Sequence, residues 1–228
     1  MGQYLLVIDE GTTSTRAMLF RPDGSAAGSA QHPITQHYPA PGHVEHDAAE
    51  IWERTLAAAR EMVEAAGGAG RIAAIGITNQ RETVVAWDRQ TGQPLATALV
   101  WQDRRTPALC DGLRDAGREA LVQSRTGLLL DPYFSGSKMG WLLANRPEVA
   151  AAGERPAFGT IDSWLAWKLT GGQTHATDAS NASRTMLMAQ DGQDWDEELC
   201  GLFAVDPASL PRIVDCAGHI GETDPALF

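Results

Sequence analysis

Two short extended runs joined by a tight polar turn constrain this chain more than any other feature. Tyr4-Leu5-Leu6-Val7-Ile8-Asp9 is apolar and ends in an acid, Gly11-Thr12-Thr13-Ser14 supplies the turn, and residues 15–20 resume an extended pattern before Arg21-Pro22-Asp23-Gly24. Apolar runs bounded by such turn residues predict a β-hairpin. A third run at residues 26–31 completes an antiparallel meander, and residues 33–42 read as a loop. A helix is predicted from Asp47, an N-cap with Glu50 at the capping-box position. Its inward face would be Trp52, Leu56, Ala59 and Val63, and Gly67-Gly68-Ala69-Gly70 would end it. Residues 72–78 are nearly all apolar, as expected of a strand covered on both faces, and stop at the polar cluster Asn79-Gln80-Arg81-Glu82.

Further strands are predicted at residues 83–87 and 95–101 around a turn at 88–92, and from residue 106 short helices near 109–113, 134–144 and 163–169. Three antiparallel strands, a helix and a buried strand make an α/β domain with a mixed sheet flanked by helices. Polar groups at the carboxyl end of its buried strand are a binding-site cue. Residues 206–228 carry scattered Pro and Gly without a strong period, so no closing helix or strand is expected there and the chain reads as cut rather than finished.

At 228 residues the chain is one large domain or a domain with a subdomain, and 43% hydrophobic residues suffice for a sizeable core. Eighteen Lys and Arg against 29 Asp and Glu leave a net charge of −11, so no basic stripe is expected and general nucleic-acid binding is disfavoured. A phosphorylated ligand would have to be held locally, by backbone amides, hydroxyls, a metal ion or single arginines. No apolar run reaches membrane-spanning length and the N-terminus does not read as a signal peptide, so no membrane partner is expected and a cytoplasmic location is. Cys110, Cys200 and Cys216 are widely spaced and fit reduced thiols. His32, His37, His43 and His46 match no standard zinc spacing and are expected on surface loops.

Two clusters carry chemistry. The Gly11-Thr12-Thr13 turn exposes consecutive amides and hydroxyls in a concavity suited to phosphate oxygens. Neither Gly-x-x-x-x-Gly-Lys-Ser/Thr nor Gly-x-Gly-x-x-Gly occurs in the chain. By itself the turn could equally be a tight hairpin whose Asp and Thr cap their own backbone. The second cluster is Arg81 and Glu82, then Val100-Trp101-Gln102-Asp103-Arg104-Arg105, then Asp131-Pro132-Tyr133. A guanidinium fork, a carboxylate, a phenol and an indole face together suit a small polyol. Singly, these residues would be a surface ion pair, a core anchor and a rim tyrosine.

The combination resembles the FGGY carbohydrate kinases, most of all the members that phosphorylate glycerol. The likeness covers nearly the whole chain. It runs through Asp9 to Arg16, Pro41-Gly42-His43-Val44-Glu45-His46-Asp47, Ile75-Gly76-Ile77-Thr78-Asn79-Gln80-Arg81-Glu82-Thr83, Trp101-Gln102-Asp103-Arg104-Arg105-Thr106, Asp131-Pro132-Tyr133-Phe134-Ser135, Gly159-Thr160-Ile161-Asp162-Ser163-Trp164 and Thr177-Asp178-Ala179-Ser180-Asn181-Ala182-Ser183-Arg184-Thr185. The resemblance implies a ribonuclease-H-like, actin-like ATPase fold. Residues 1–228 would be the polyol-binding N-terminal domain, incomplete at its C-terminus, with the C-terminal nucleotide-binding domain absent.

It also implies transfer of the γ-phosphoryl group of ATP to glycerol, giving sn-glycerol 3-phosphate and ADP, with magnesium as cofactor and a homo-oligomer in the full-length enzyme. Arg81, Glu82, Trp101 and Tyr133 would contact glycerol. Thr12, Thr13, Ser14 and Arg16 would contact nucleotide phosphates, and Asp9 would sit near the magnesium ion. The family's catalytic base, an Asp in a Gly-Asp-Gln motif, would lie beyond Phe228, so this chain alone is expected to be inactive. Glu10 stands where these kinases usually have Gln and is expected to point away from the triphosphate, and His43 replaces a familiar Trp. Two other readings stay open: a related kinase acting on a pentulose, and a non-catalytic actin-like sugar-binding module.

Overall fold

The computed structural model describes residues 3–153, 156–192 and 194–228. The elements, in chain order, are β1 (Tyr4–Glu10), β2 (Ser14–Phe20), β3 (Ala26–Pro33), β4 (Glu45–His46), α1 (Ala48–Ala66), β5 (Ile72–Asn79), β6 (Val85–Asp88) and β7 (Ala98–Leu99). They continue as α2 (Pro107–Asp115), α3 (Glu119–Thr126), α4 (Ser135–Asn145), α5 (Pro147–Ala151), β8 (Pro156–Gly159), α6 (Ile161–Leu169), β9 (Ala176–Asp178), α7 (Ala179–Ala182), α8 (Glu197–Leu202) and β10 (Arg212–Val214).

The predicted meander forms the main sheet, in the order β3-β2-β1-β5. β1 pairs antiparallel with β2 and parallel with β5, so Glu10 at the end of β1 lies beside Asn79 at the end of β5. Both polar strand ends therefore open on the same edge of the sheet. The result is the mixed-sheet α/β arrangement expected from the sequence.

α1 returns the chain across the sheet between β3 and β5, and Asp47 starts it by accepting hydrogen bonds from the Ala49 and Glu50 amides, a cap contributing about 1 kcal/mol. Glu50 does not close a capping box. Its carboxylate instead accepts from the amide and hydroxyl of Thr35, which pins the loop after β3. The buried stripe is also rotated from the expected one: Ile51, Thr55, Ala58, Ala59, Met62 and Val63 face inward, while Trp52 and Leu56 sit half-buried at its margin. The smaller residues are selected because the helix lies close on β1, β2 and β3, where it meets Leu6, Ala17, Leu19 and Ala30. Full burial of a side chain such as Ile51 contributes about 1.5–3 kcal/mol. Gly67, at φ 91°, ends the helix in the left-handed conformation that glycine adopts without strain.

β5 differs from its expected environment. Ala73, Ala74, Gly76 and Thr78 are exposed, because β5 is the outer strand of the sheet and its open face borders a cavity of about 360 Å³ shared with α6 and residues 214–223. The predicted hairpin after β5 is present but short. Val84 and Leu99 exchange backbone hydrogen bonds and Leu95 N–H bonds Ala86, yet the regular strands shrink to β6 and β7, which find other partners in β8 and β4. The expected helices are α2, α4 and α6. The region beyond residue 106 also contains β8, β9 and β10, and β10 runs parallel to β9 inside the stretch where no strand was expected.

A central core joins Ile8, Ile51, Trp87, Trp164 and Leu165, with Trp164 Nε1 donating to the Ala48 carbonyl at 2.9 Å. A second core under α2, α3, α4 and α8 includes Leu99, Met139, Phe158, Leu187 and Phe203. Cys110 and Cys200 are buried free thiols and Cys216 is an exposed one. Among the described residues, no helix is long and apolar enough to cross a membrane.

Candidate functional site

At the carboxyl edge shared by β1 and β5 lies a cavity of about 300 Å³. Asp9 and Thr12 reach it from the hairpin, Arg81 and Glu82 from the chain after β5, and Trp101 and Tyr133 from two further loops. The cavity thus brings both predicted clusters together. Thr13, Ser14 and Arg16 lie on the same hairpin but outside the cavity lining.

The hairpin wall is held by backbone and amide contacts. Gly11 N–H bonds the Ser14 carbonyl, Gln80 donates through its amide nitrogen to Glu10 O and through Nε2 to Gly11 O, and Gln36 Nε2 donates to Thr12 O at 2.7 Å. Ser14 and Arg16 are both bound by Gln31 of β3: its Nε2 donates to Ser14 Oγ, and its Oε1 accepts from Arg16. The Asp9 side chain makes no hydrogen bond or ion pair among the described residues, which leaves its carboxylate available to the cavity that Asp9 lines.

Glu10 points the other way, on the face of β1 that α1 covers. Its Oε2 accepts from the Thr55 hydroxyl at 3.1 Å and its buried Oε1 has no partner. Burial outweighs the hydroxyls of Thr15 and Thr55, with Asp9 adding a little, and pushes the carboxyl up to about 8. It is therefore neutral at pH 7 and adds no charge to the cavity.

The opposite wall is built from ions and rings. Arg81 is exposed and has no protein partner among the described residues. Glu82 is 3% exposed, sits at φ 65° in the left-handed region that a glutamate rarely adopts, and has its backbone carbonyl bonded by Ser135 Oγ. Its Oε1 accepts from Arg184 Nε at 2.7 Å. Trp101 and Tyr133 meet edge to face, centroids 5.7 Å apart. The indole Nε1 donates to Thr12 Oγ1 at 2.9 Å, so the aromatic wall and the hairpin are hydrogen-bonded to each other.

Several residues to which the sequence assigns no role support these walls. Lys138, fully buried on α4, donates to the carbonyls of Pro132 and Tyr133 at 2.5 and 2.7 Å and so fastens the Tyr133 loop from beneath. Burial lowers its ammonium to about 7, against the opposing influence of Asp103 and Glu82. Arg105, also buried, bridges Asp103 and Glu45 at 2.7 Å each, and Asp103 accepts from Val44 N–H, which fixes the turn carrying Trp101. Thr83 links Gln80 to the Trp101 amide. The signal for Lys138 was a lone cation among small and apolar residues, and for Arg184 a cation inside a polar motif.

The histidines correct one expectation. His46 is fully buried, not on a surface loop: Nε2 contacts Gln36 Oε1, Nδ1 faces Gln80 Nε2, and burial lowers its pKa to about 4. It serves as a neutral link between the two glutamines that hold the hairpin. Among the described residues no three His, Cys, Asp or Glu side chains group as a metal site. Asp162 accepts from Thr160 and Thr177 hydroxyls and borders the cavity under β5 instead.

A mixed sheet whose hairpin turn and parallel strand ends open on one polar cavity defines an α/β protein of the actin-like, ribonuclease-H-like class. Residues 4–228 match the model of the FGGY family of carbohydrate kinases, N-terminal domain, and the chain belongs to this family. It is 54% identical over 229 residues to a glycerol kinase of Rhodospirillum rubrum and 56% identical to one of Alcanivorax borkumensis, in each case across 99% of this chain and 46% of the relative. Its fold matches the crystal structure of Plasmodium falciparum glycerol kinase with ADP at a TM-score of 0.90 and 32% identity, covering 100% of this chain and 46% of that one. A gluconate kinase from Lactobacillus acidophilus shares the fold, at a TM-score of 0.88 and 21% identity. The chain thus spans about half the length of the relatives it matches.

Proposed function

We propose that this chain is the polyol-binding portion of a glycerol kinase, an enzyme that moves the γ-phosphoryl group of ATP to a terminal hydroxyl of glycerol and releases ADP. The observation that carries the reading is the Trp101 to Thr12 hydrogen bond of 2.9 Å, which joins a polyol-type wall and a phosphate-type turn in one cavity. That cavity, about 300 Å³, has room for a three-carbon triol beside a phosphate tail. The high identity to glycerol kinases supports this substrate over a pentulose.

Phosphoryl transfer asks a protein for position and charge rather than covalent chemistry. Arg81, unpaired, donates to glycerol oxygens, the other oxygen of Glu82 accepts a hydrogen bond from a glycerol hydroxyl, and Trp101 and Tyr133 cover the carbon–hydrogen faces. Thr12 and the hairpin amides hold phosphate oxygens, with Thr13, Ser14 and Arg16 beside them. Asp9, whose side chain is unpartnered among the described residues, would hold a magnesium ion, which would supply charge neutralisation along the phosphates. No cavity carboxylate is suited to take the reacting hydroxyl's proton, since Glu82 is paired and Asp9 faces the phosphates. The base therefore comes from outside these residues, and this chain alone is expected to show no turnover.

Separate calorimetric titrations of glycerol and magnesium–ATP, with Arg81→Ala as control, test the reading. Saturable glycerol binding that Arg81→Ala removes supports it. A folded chain that binds no glycerol contradicts it.

A further inference from the structure

Glu82 has two carboxylate oxygens in different situations. Oε1 is taken by Arg184 at 2.7 Å, whereas Oε2 has no hydrogen-bond partner among the described residues, and Glu82 is one of the residues lining the cavity. The guanidinium that holds Oε1 also lies over the aromatic pair beside it, its central carbon 4.9 Å from the Phe134 ring centroid and 5.7 Å from that of Tyr133. One cation thus touches both the acid and the phenol of the polyol wall. Its own place is tightly defined: Gly136 N–H bonds the Thr185 carbonyl at 2.7 Å, and a Cβ on Gly136 would stand 2.7 Å from that same oxygen. Only glycine lets the 183–185 turn dock this closely on α4.

We propose that Arg184 is a positioning residue for substrate selection: by holding one oxygen of Glu82 and stacking over Tyr133 and Phe134, it presents the other oxygen to a single substrate hydroxyl. This rests on the polyol reading of the cavity and names what makes the wall demand a hydroxyl there. A carboxylate fixed on one side cannot turn to follow a ligand, so a diol lacking the matching hydroxyl leaves it desolvated and unpaired. Without Arg184 the carboxylate is free to rotate toward water, and the demand relaxes.

The test uses the 228-residue chain and its Arg184→Met, Arg184→Lys and Glu82→Gln forms, with Arg184→Met also combined with Glu82→Gln. Each is titrated calorimetrically with glycerol, 1,2-propanediol and 1,3-propanediol, and near-ultraviolet circular dichroism checks folding. Arg184→Met is expected to weaken glycerol roughly tenfold or more, to weaken the less favoured diol by less than about threefold, and so to flatten the preference. Arg184→Lys, which keeps the charge without the planar stack, should fall between. In the Glu82→Gln background the same change should have little further effect, because its target is gone. A variant that binds all three ligands as the unchanged chain does, or loses them equally in both backgrounds, overturns the inference alone. If Arg184→Met does not fold, Arg184→Lys carries the same comparison. Failure of the unchanged chain to bind glycerol overturns the polyol reading and this inference with it.

Discussion

On one side of the cavity the hairpin offers main-chain amides and a threonine hydroxyl held by neutral glutamines, Gln36 and Gln80. On the other, Glu82 and Arg184 are an ion pair beside aromatic rings, Lys138 is a buried amine held on carbonyls, and Arg81 is left without a partner among the described residues. A phosphate tail presents equivalent oxygens and can be held by any suitably spaced donors. A small triol can be told from a diol only by groups that suffer when a hydroxyl is missing, which requires buried, fixed charges. Each wall is therefore rigid by a different means, and substitutions on the two sides should fail differently.

The largest expected effect lies behind the hairpin. Glu10 keeps its proton in the folded chain up to about pH 8, whereas an unfolded carboxyl loses it near 4.5. Between those values the unfolded state binds fewer protons, so stability falls as pH rises through the window and levels off above it. Glu10→Gln should remove that loss and stabilise the chain by on the order of 2–4 kcal/mol at pH 8 and by almost nothing at pH 4, read from urea unfolding at both values. Equal effects at both pH values would mean that the carboxyl is not neutral in the fold.

Next is the opposite wall. Lys138→Met should leave the Pro132 and Tyr133 carbonyls without their donor and cost about 2–3 kcal/mol, measured as a lowered urea midpoint at unchanged m-value. Arg81→Ala, at an exposed position, should leave the urea midpoint unchanged while weakening glycerol roughly 30-fold and magnesium–ATP by less than about threefold. Equal losses of both ligands would erase the distinction between the walls. Thr12→Val is the smallest and most diagnostic change. It removes the acceptor of the Trp101 indole, so glycerol and nucleotide should both weaken by a few-fold, about 1 kcal/mol.

The parts of this arrangement that sequence makes legible are those with local causes. The short apolar run and the Gly11-Thr12-Thr13 turn predict β1 and β2, and Asp47 and Gly67 mark the ends of α1, because caps and turns act over a few residues. The motifs around Arg81, Glu82, Trp101 and Tyr133 name residues that the structure gathers in one cavity. Burial is less legible, because it depends on what packs across a surface. Ala74 and Gly76 look like core in an apolar run yet face an open cavity, and His46 looks like a loop residue yet lies fully buried. The inward stripe of α1 turns on which residues are small enough to approach the sheet, which favours Ala58 over Leu56. The Arg184 to Glu82 pair spans 102 residues of sequence, and no period or cap links its members. Only the docking of the 183–185 turn on Gly136 brings them together.

The shared cavity is tested most directly at the indole that joins its walls. In nitrogen-15 spectra of the chain, with the Trp101 indole resonance assigned by Trp101→Phe, that signal should move on adding glycerol and again on adding magnesium–ATP, while the buried indoles of Trp87 and Trp164 stay put. A Trp101 indole that responds to neither ligand, or glycerol shifts that gather around Trp87 and Trp164 instead, would contradict the account.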